Sequence, residues 1–398
     1  MAQQTICETA PSAADGGSDL IAWAHRMQDE CPVGRDAQGV WNVVRAAEAQ
    51  RVLSEPSSFS SDPSHAFPAA GRFRGNMLWL DPPEHRKLRT IVSRVFVPKA
   101  VSALEPEIRK VAAGLLDAAG GADEIELVSQ FTQPLPVIVI AELLGIPSLD
   151  LAQFKAWADR MLGAVVLDPL ANEDARREIA MGTMEMNAYL LEHVRRRRAA
   201  PREDLLSRLV ATQVGGDRLD DQEVVNFSRV LLEAGHVTTT MMLSNAIWCF
   251  EEDPGLAARL RADRSLLPSA IEELLRYRPP VLMVLRYTRT DVELADTRIP
   301  AGSVVKVWIV AANRDPRQFD RPDVFDLGRH PNGHLAFGKG IHYCLGSQLA
   351  RLEGELGLNL LFDRFPDLRI TPGADLEFYP QNFFGMKRLP VTVSRSGR

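Results

Sequence analysis

The sequence predicts a mainly α fold with small β-sheets. Three observations lead there. Composition is that of an ordinary globular chain, with 45% apolar and 25% charged residues in 398. Apolar residues recur with the helical period through most of the chain, whereas strand patterns are few and short. The longest periodic segment, 221–250, would run roughly 45 Å as a helix, long enough to cross a domain.

In chain order, residues 1–20 are rich in Ala, Ser, Gly and Pro and read as a flexible lead-in. They lack the basic start and apolar run of a signal peptide. At roughly 150 residues per domain the length suggests two or three domains, but no low-complexity linker divides residues 21–398. Asp81-Pro82-Pro83 reads as an N-cap with proline in the first turn, opening a helix to about residue 96. Helical periodicity returns at 102–119, 138–145, 150–164, 173–199, 203–213, 221–250, 255–261, 265–277 and 347–363. Strands are expected at 41–44, 292–294 and 304–310, with short pieces near 368–371 and 389–393. Residues 311–346 have no strong period but many Asn, Asp, Pro, Gly and His. Long stretches of that kind inside a compact domain tend to be functional.

A formal charge of −6 argues against nucleic-acid binding by the whole surface and leaves a local basic patch open. No segment approaches the roughly 18 apolar residues of a membrane span, so a cytoplasmic protein without a membrane anchor is expected. The four cysteines, Cys7, Cys31, Cys249 and Cys344, make neither a disulfide framework nor a C-x-x-C pair. Cys7 reads as inert, Cys31 as lacking an evident partner, and Cys249 as a small core residue.

Cys344 differs. It lies in Phe337-Gly338-Lys339-Gly340-Ile341-His342-Tyr343-Cys344-Leu345-Gly346, just before a helical pattern. Glycines let the backbone approach a flat ligand. Backbone N–H groups and a helix N-terminus favour a thiolate, which can be an axial haem-iron ligand. The alternative is a buried cysteine in a glycine-rich turn.

The pattern F-x-x-G-x-x-x-C-x-G resembles the haem-binding loop of the cytochrome P450 family, and the resemblance runs from about Ile21 to Val393. It implies that fold, with haem b (iron protoporphyrin IX) between the long central helix and the cysteine loop. It also implies Cys344 as the metal ligand, with Phe337, Gly338 and Gly346 shaping the loop. Glu273-Leu274-Leu275-Arg276 looks like the family's E-x-x-R, whose pair lies on one helix face. Arg329 would be its third, structural member. His85 and Arg89, spaced i, i+4, with Arg286 and His342, match the family's propionate anchors. Two buried propionates need such compensation. Taken singly, each of these basic residues reads equally as a surface charge.

Ala234, Gly235 and Thr238 in the central helix match the family's oxygen-binding segment, with Thr238 as the oxygen-side threonine. A kinked core helix with hydroxyls bonded back to carbonyls is the alternative. The family's acid before that threonine is replaced by Val237. Glu233, about 140° away around the helix, is a poor substitute.

The resemblance implies a haem-thiolate monooxygenase. One oxygen atom from O2 would enter a mid-sized hydrophobic substrate of polyketide type, by hydroxylation or epoxidation. Electrons would come from NAD(P)H through a ferredoxin and a ferredoxin reductase, with Arg86, Lys87 and Lys339 as a basic docking patch. A monomer is expected. Pocket candidates by position are Phe67, Phe73, Met77, Ala234, Val281, Leu282, Leu285, Phe383 and Phe384. The competing readings are a peroxide-dependent peroxygenase or decarboxylase and a non-catalytic haem-binding module. The first is disfavoured because residues 234–242 contain no Arg to hold a fatty-acid carboxylate.

Overall fold

A computed structural model describes residues 6–67, 75–119, 123–166, 173–380 and 382–394. The chain divides into two compact units. The first comprises residues 1–72, 252–344 and 377–387. Its five-stranded sheet runs in the order Val33–Arg35, Trp41–Val43, Val304–Trp308, Met283–Thr288, Phe59–Ser60. The 304–308 strand pairs in parallel with 41–43 and antiparallel with 283–288, placing Arg286 opposite Val305. Alternation sends Val305 and Val307 into a core with Trp41, Val43 and Phe59. Helices Ser18–Glu30, Ala46–Ser54, Pro254–Ala262 and Leu267–Tyr277 complete the unit.

The N-terminal segment corrects two expectations. Cys7 and Cys31 form a disulfide, so neither is a lone thiol. Residues 7–17 are tied down rather than loose. The Cys7 N–H donates to the Arg35 carbonyl at 2.9 Å, and the Ser12 hydroxyl donates to the Pro380 carbonyl at 2.9 Å. Helix Ser18–Glu30 begins inside the segment read as lead-in.

The second unit comprises residues 73–251, 345–376 and 388–398. It is built on helices, with a three-stranded sheet in the order Asp367–Ile370, Pro390–Ser394, Glu124–Glu126 and a two-stranded one of Gln213–Val214 and Asp217–Arg218. Its central helix, Asp221–Glu252, is apolar on several faces and largely buried, as a helix enclosed by others must be. Helix Glu84–Val95 opens three residues after Asp81, with Pro83 rather than Asp81 at its cap. Helix Ser347–Arg364 follows the cysteine loop, with Gly346 at its cap.

Candidate active site

Between Ala312 and Ser347 the described backbone contains a single short helical turn, Gly340–His342, and hydrogen bonds hold the rest in place. Gly338 and Gly340 both have φ of 70°. At Gly340 any side chain is also excluded by space, since a Cβ would lie 2.7 Å from the Leu53 carbonyl oxygen. The Cys344 N–H donates to the Phe337 carbonyl at 2.8 Å, closing the loop. Cys344 is half-buried, Cys249 is buried, and neither is in a disulfide. A Cβ at Gly346 would meet nothing within 4 Å, so the backbone after the cysteine borders open space.

The predicted Glu273, Arg276 and Arg329 come together as one buried network. Arg276 donates Nε to Glu273 Oε2 at 2.8 Å and Nη2 to Oε1 at 2.7 Å. Arg329 Nε lies 3.0 and 3.1 Å from the same two oxygens. Two guanidiniums on one carboxylate leave a surplus positive charge. Carbonyls of Asn313, Pro322 and Val324 around Arg276, and of Asp320 and Arg321 around Arg329, stabilise it. The Asp326 N–H and the Asn332 amide also donate to Glu273, so its carboxylate is well satisfied.

The four anchor candidates lie on three elements. Arg286 is buried on strand Met283–Thr288, with Nη1 donating to the Leu285 carbonyl at 2.8 Å. His342, in the same unit, is half-buried in the Gly340–His342 turn. In the second unit His85 is buried and Arg89 half-buried on one face of helix Glu84–Val95. Of the docking-patch candidates, Lys87 pairs with Glu223 at 3.4 Å, Lys339 donates to Gln50 Oε1, and Arg86 is exposed.

On the central helix, Ala234 is exposed and Thr238 half-exposed in the middle of an otherwise buried element. The Thr238 hydroxyl donates to the Ala234 carbonyl at 2.9 Å. At Gly235 a Cβ would lie 2.6 Å from Ile140 Cδ1, so the small residue gives room to a side chain of helix Pro134–Leu144. Glu233 is engaged by Arg229, four residues earlier. Burial pushes the Glu233 carboxyl above its ordinary value, and Arg229 works against that.

Residues 168–394 match the family described as Cytochrome P450. The chain is 42% identical to cyclomarin C epoxidase CymV of Salinispora arenicola, over 93% of this chain and 95% of that protein. It is 40% identical to erythromycin C-12 hydroxylase of Saccharopolyspora erythraea, over 99% of both chains. The solved structure of open cytochrome P450 Eryk from S. erythraea superposes with a TM-score of 0.94, covering 98% of this chain and 99% of that one at 40% identity.

This chain belongs to the cytochrome P450 family. It is a cytochrome P450 monooxygenase, and the family is a haem-thiolate one. The residues of this P450 fit such a group. Among the described residues no cluster of three His, Cys, Asp or Glu could hold a bare metal ion. A macrocycle that brings its own equatorial ligands needs only one protein ligand, and the glycine-flanked Cys344 suits that need. No helix among the described residues is long and apolar enough to cross a membrane.

The pocket candidates of this P450 separate by burial. Val281 and Leu285 are partly exposed, as are Met283 and Val284 at the start of strand Met283–Thr288, while Leu282 is buried. Phe383, bridged to Val281, is likewise partly exposed. Phe384 is 1% exposed, packs on Gly17 and lies under the Arg278 guanidinium. Leu282 and Phe384 are therefore core residues, and Met283 and Val284 join the partly exposed candidates. Phe67 is exposed with its ring edge-on to Tyr287, and Met77 is buried in the core of the second unit. Phe73 lies outside the described residues.

Glu353 was missed by sequence reasoning. It sits on helix Ser347–Arg364 among buried Leu349 and Leu356, a charged residue at an apolar position of the helical period. That mismatch is the signal that could have found it. Burial pushes its carboxyl up to about 8, and the Thr239 hydroxyl works against that shift. Its Oε1 has no hydrogen-bond partner among the described residues.

Proposed function

We propose that residues 21–398 act as one haem-thiolate monooxygenase, with Cys344 as the axial iron ligand and a mid-sized, largely apolar natural product of polyketide type as substrate. The substrate class rests on the 40% identity to erythromycin C-12 hydroxylase across 99% of both chains. The partly exposed apolar run Met283-Val284-Leu285, with Val281 just before it, is consistent with it.

When bound, a thiolate-ligated haem supplies the activation of oxygen. The chain's own residues have separable tasks. The Phe337 carbonyl holds the Cys344 backbone in place. His85, Arg89, Arg286 and His342 would compensate the two propionates. Thr238 spends its donor on the Ala234 carbonyl, so its oxygen is left as an acceptor for a proton-bearing partner. Glu353 is neutral at pH 7 and holds a proton beside Thr239, the neighbour of Thr238. In this reading that carboxyl is the proton reserve for the segment from which Val237 removes the usual acid. Electrons come from NAD(P)H through a ferredoxin and its reductase, in the cytoplasm.

The test is reconstitution of the purified holoprotein with a ferredoxin, its reductase and NADPH on a panel of macrolide and peptide natural products. The expected result is a product heavier by one oxygen atom, labelled when the O2 is isotopically enriched. Turnover only with added peroxide would sink the reading. For the ligand itself, reduced Cys344→Ala holoprotein under carbon monoxide should lack the red-shifted Soret band of thiolate ligation.

A further inference from the structure

The Glu273 network fixes the chain as far as Asn332. The segment from there to the cysteine is tied by a second set of contacts. The Leu335 N–H donates to Asn313 Oδ1 at 2.7 Å. The His334 ring is 4% exposed at its side chain, and its two nitrogens face different partners. Nδ1 lies 3.2 Å from the Ala336 N–H, and Nε2 lies 3.2 Å from Glu272 Oε2. A backbone N–H can only donate, so Nδ1 is the acceptor and Nε2 carries the proton. The ring is thus a neutral Nε2–H tautomer, bonded at one end to its own loop and at the other to helix Leu267–Tyr277. It also packs 5.8 Å from the Phe337 ring, centroid to centroid. Phe337 is the residue whose carbonyl accepts the Cys344 N–H.

We propose that His334 is a positioning residue for Cys344, clamping the Leu335–Phe337 backbone to Glu272 so that the sulfur is presented in one orientation. The inference rests on reading Cys344 as the iron ligand. It assigns Glu272 and Glu273, adjacent in sequence, to different parts of one support: Glu273 holds the approach to the loop, and Glu272 holds the loop itself through the imidazole. Metal ligands depend on such outer contacts for their orientation.

The experiment compares wild type, His334→Ala, Glu272→Ala, the double variant and Glu272→Gln, each as reduced holoprotein under carbon monoxide in mild denaturant. The readout is the rate at which the thiolate Soret band converts to the blue-shifted band of a neutral ligand. Far-UV ellipticity is followed alongside. Each alanine variant should convert about tenfold faster, the worth of one hydrogen bond to a charged acceptor. The double variant should convert no faster than His334→Ala, because the link to Glu272 is already lost with the imidazole. Glu272→Gln keeps an acceptor oxygen and should stay near wild type. The ellipticity should be unchanged over the same interval. Single variants that convert at the wild-type rate, or a double variant that multiplies the two effects, would overturn the inference alone. A wild-type holoprotein without a thiolate band would overturn the Cys344 reading, and this inference with it.

Discussion

Arg276 and Glu273 form a bidentate pair at 2.7 and 2.8 Å with both side chains fully withdrawn from water. Glu273 also takes Arg329, the Asp326 N–H and Asn332, so one carboxylate gathers three stations of the polypeptide that leads to the cysteine. Its chemistry is that of a clamp rather than of a reacting group.

Removing one partner of such a pair leaves the other charge buried and uncompensated. Arg276→Leu should therefore cost about 3–5 kcal/mol in unfolding free energy. Arg276→Lys should be nearly as damaging, because an ammonium cannot reproduce the two-pronged contact or reach three carbonyls. Urea unfolding followed by far-UV ellipticity checks this. A Lys variant with wild-type stability would mean that charge alone, not the planar fork, holds the network.

Arg286 is buried on its strand while its neighbours on the ladder are apolar. Under the proposed function this guanidinium, like that of Arg89, would compensate a haem propionate. Arg286→Ala and Arg89→Ala should each weaken haem retention by about tenfold, measured as transfer of haem to an excess of apomyoglobin. Retention equal to wild type in both would separate these residues from the propionates.

How much of this was legible in the sequence depended on the range of the forces involved. The central helix, Asp221–Glu252, was readable within two residues because its period is local and long. The cysteine loop was readable because glycine spacing is a local backbone requirement. Strand Met283–Thr288 was missed. Its start in a continuous apolar run lacks alternation, and only pairing on both sides makes it a strand. The Cys7–Cys31 disulfide joins residues 24 apart with no sequence pattern to announce it. Nor does the sequence show that Ile140 packs against the helix at Gly235.

Glu353 gives a pH dependence with a definite sign. Its carboxyl titrates near 8 in the fold and near about 4.3 in an unfolded chain. Between those values the native state keeps a proton that the unfolded state has released. Stability should therefore fall as pH rises through this window, at up to about 1.4 kcal/mol per pH unit from this group. Glu353→Gln keeps the neutral shape and should remove that slope, gaining most over wild type at pH 8 and above. Urea unfolding of both proteins from pH 5.5 to 9 measures the difference. Parallel curves would show that Glu353 is ionised in the fold, and it could not then hold a proton for Thr239.

Under the proposed function Thr238 would handle protons on the central helix, beside a Val237 whose side chain can carry none. Thr238 is half-exposed with its donor on the Ala234 carbonyl, whereas Val237 is 5% exposed and packed in the core. Thr238→Ala removes an oxygen that can accept a hydrogen bond without emptying a buried site, so the fold should be unaffected. The ratio of product formed to NADPH consumed should fall about tenfold on the native substrate, the worth of one hydrogen bond to a charged or proton-sharing partner. The lost electrons should appear as peroxide. Restoring the family's acid by Val237→Glu should not rescue coupling. A carboxyl at that buried position costs about 3 kcal/mol and stays protonated, with the melting temperature falling as the first consequence. Glu353→Gln, by contrast, should lower coupling with little effect on stability at pH 7 beyond the pH-dependent gain already described. If Thr238→Ala stays fully coupled, the helix plays no part in handling protons. If only Glu353→Gln stays fully coupled, Thr238 receives its protons by another route.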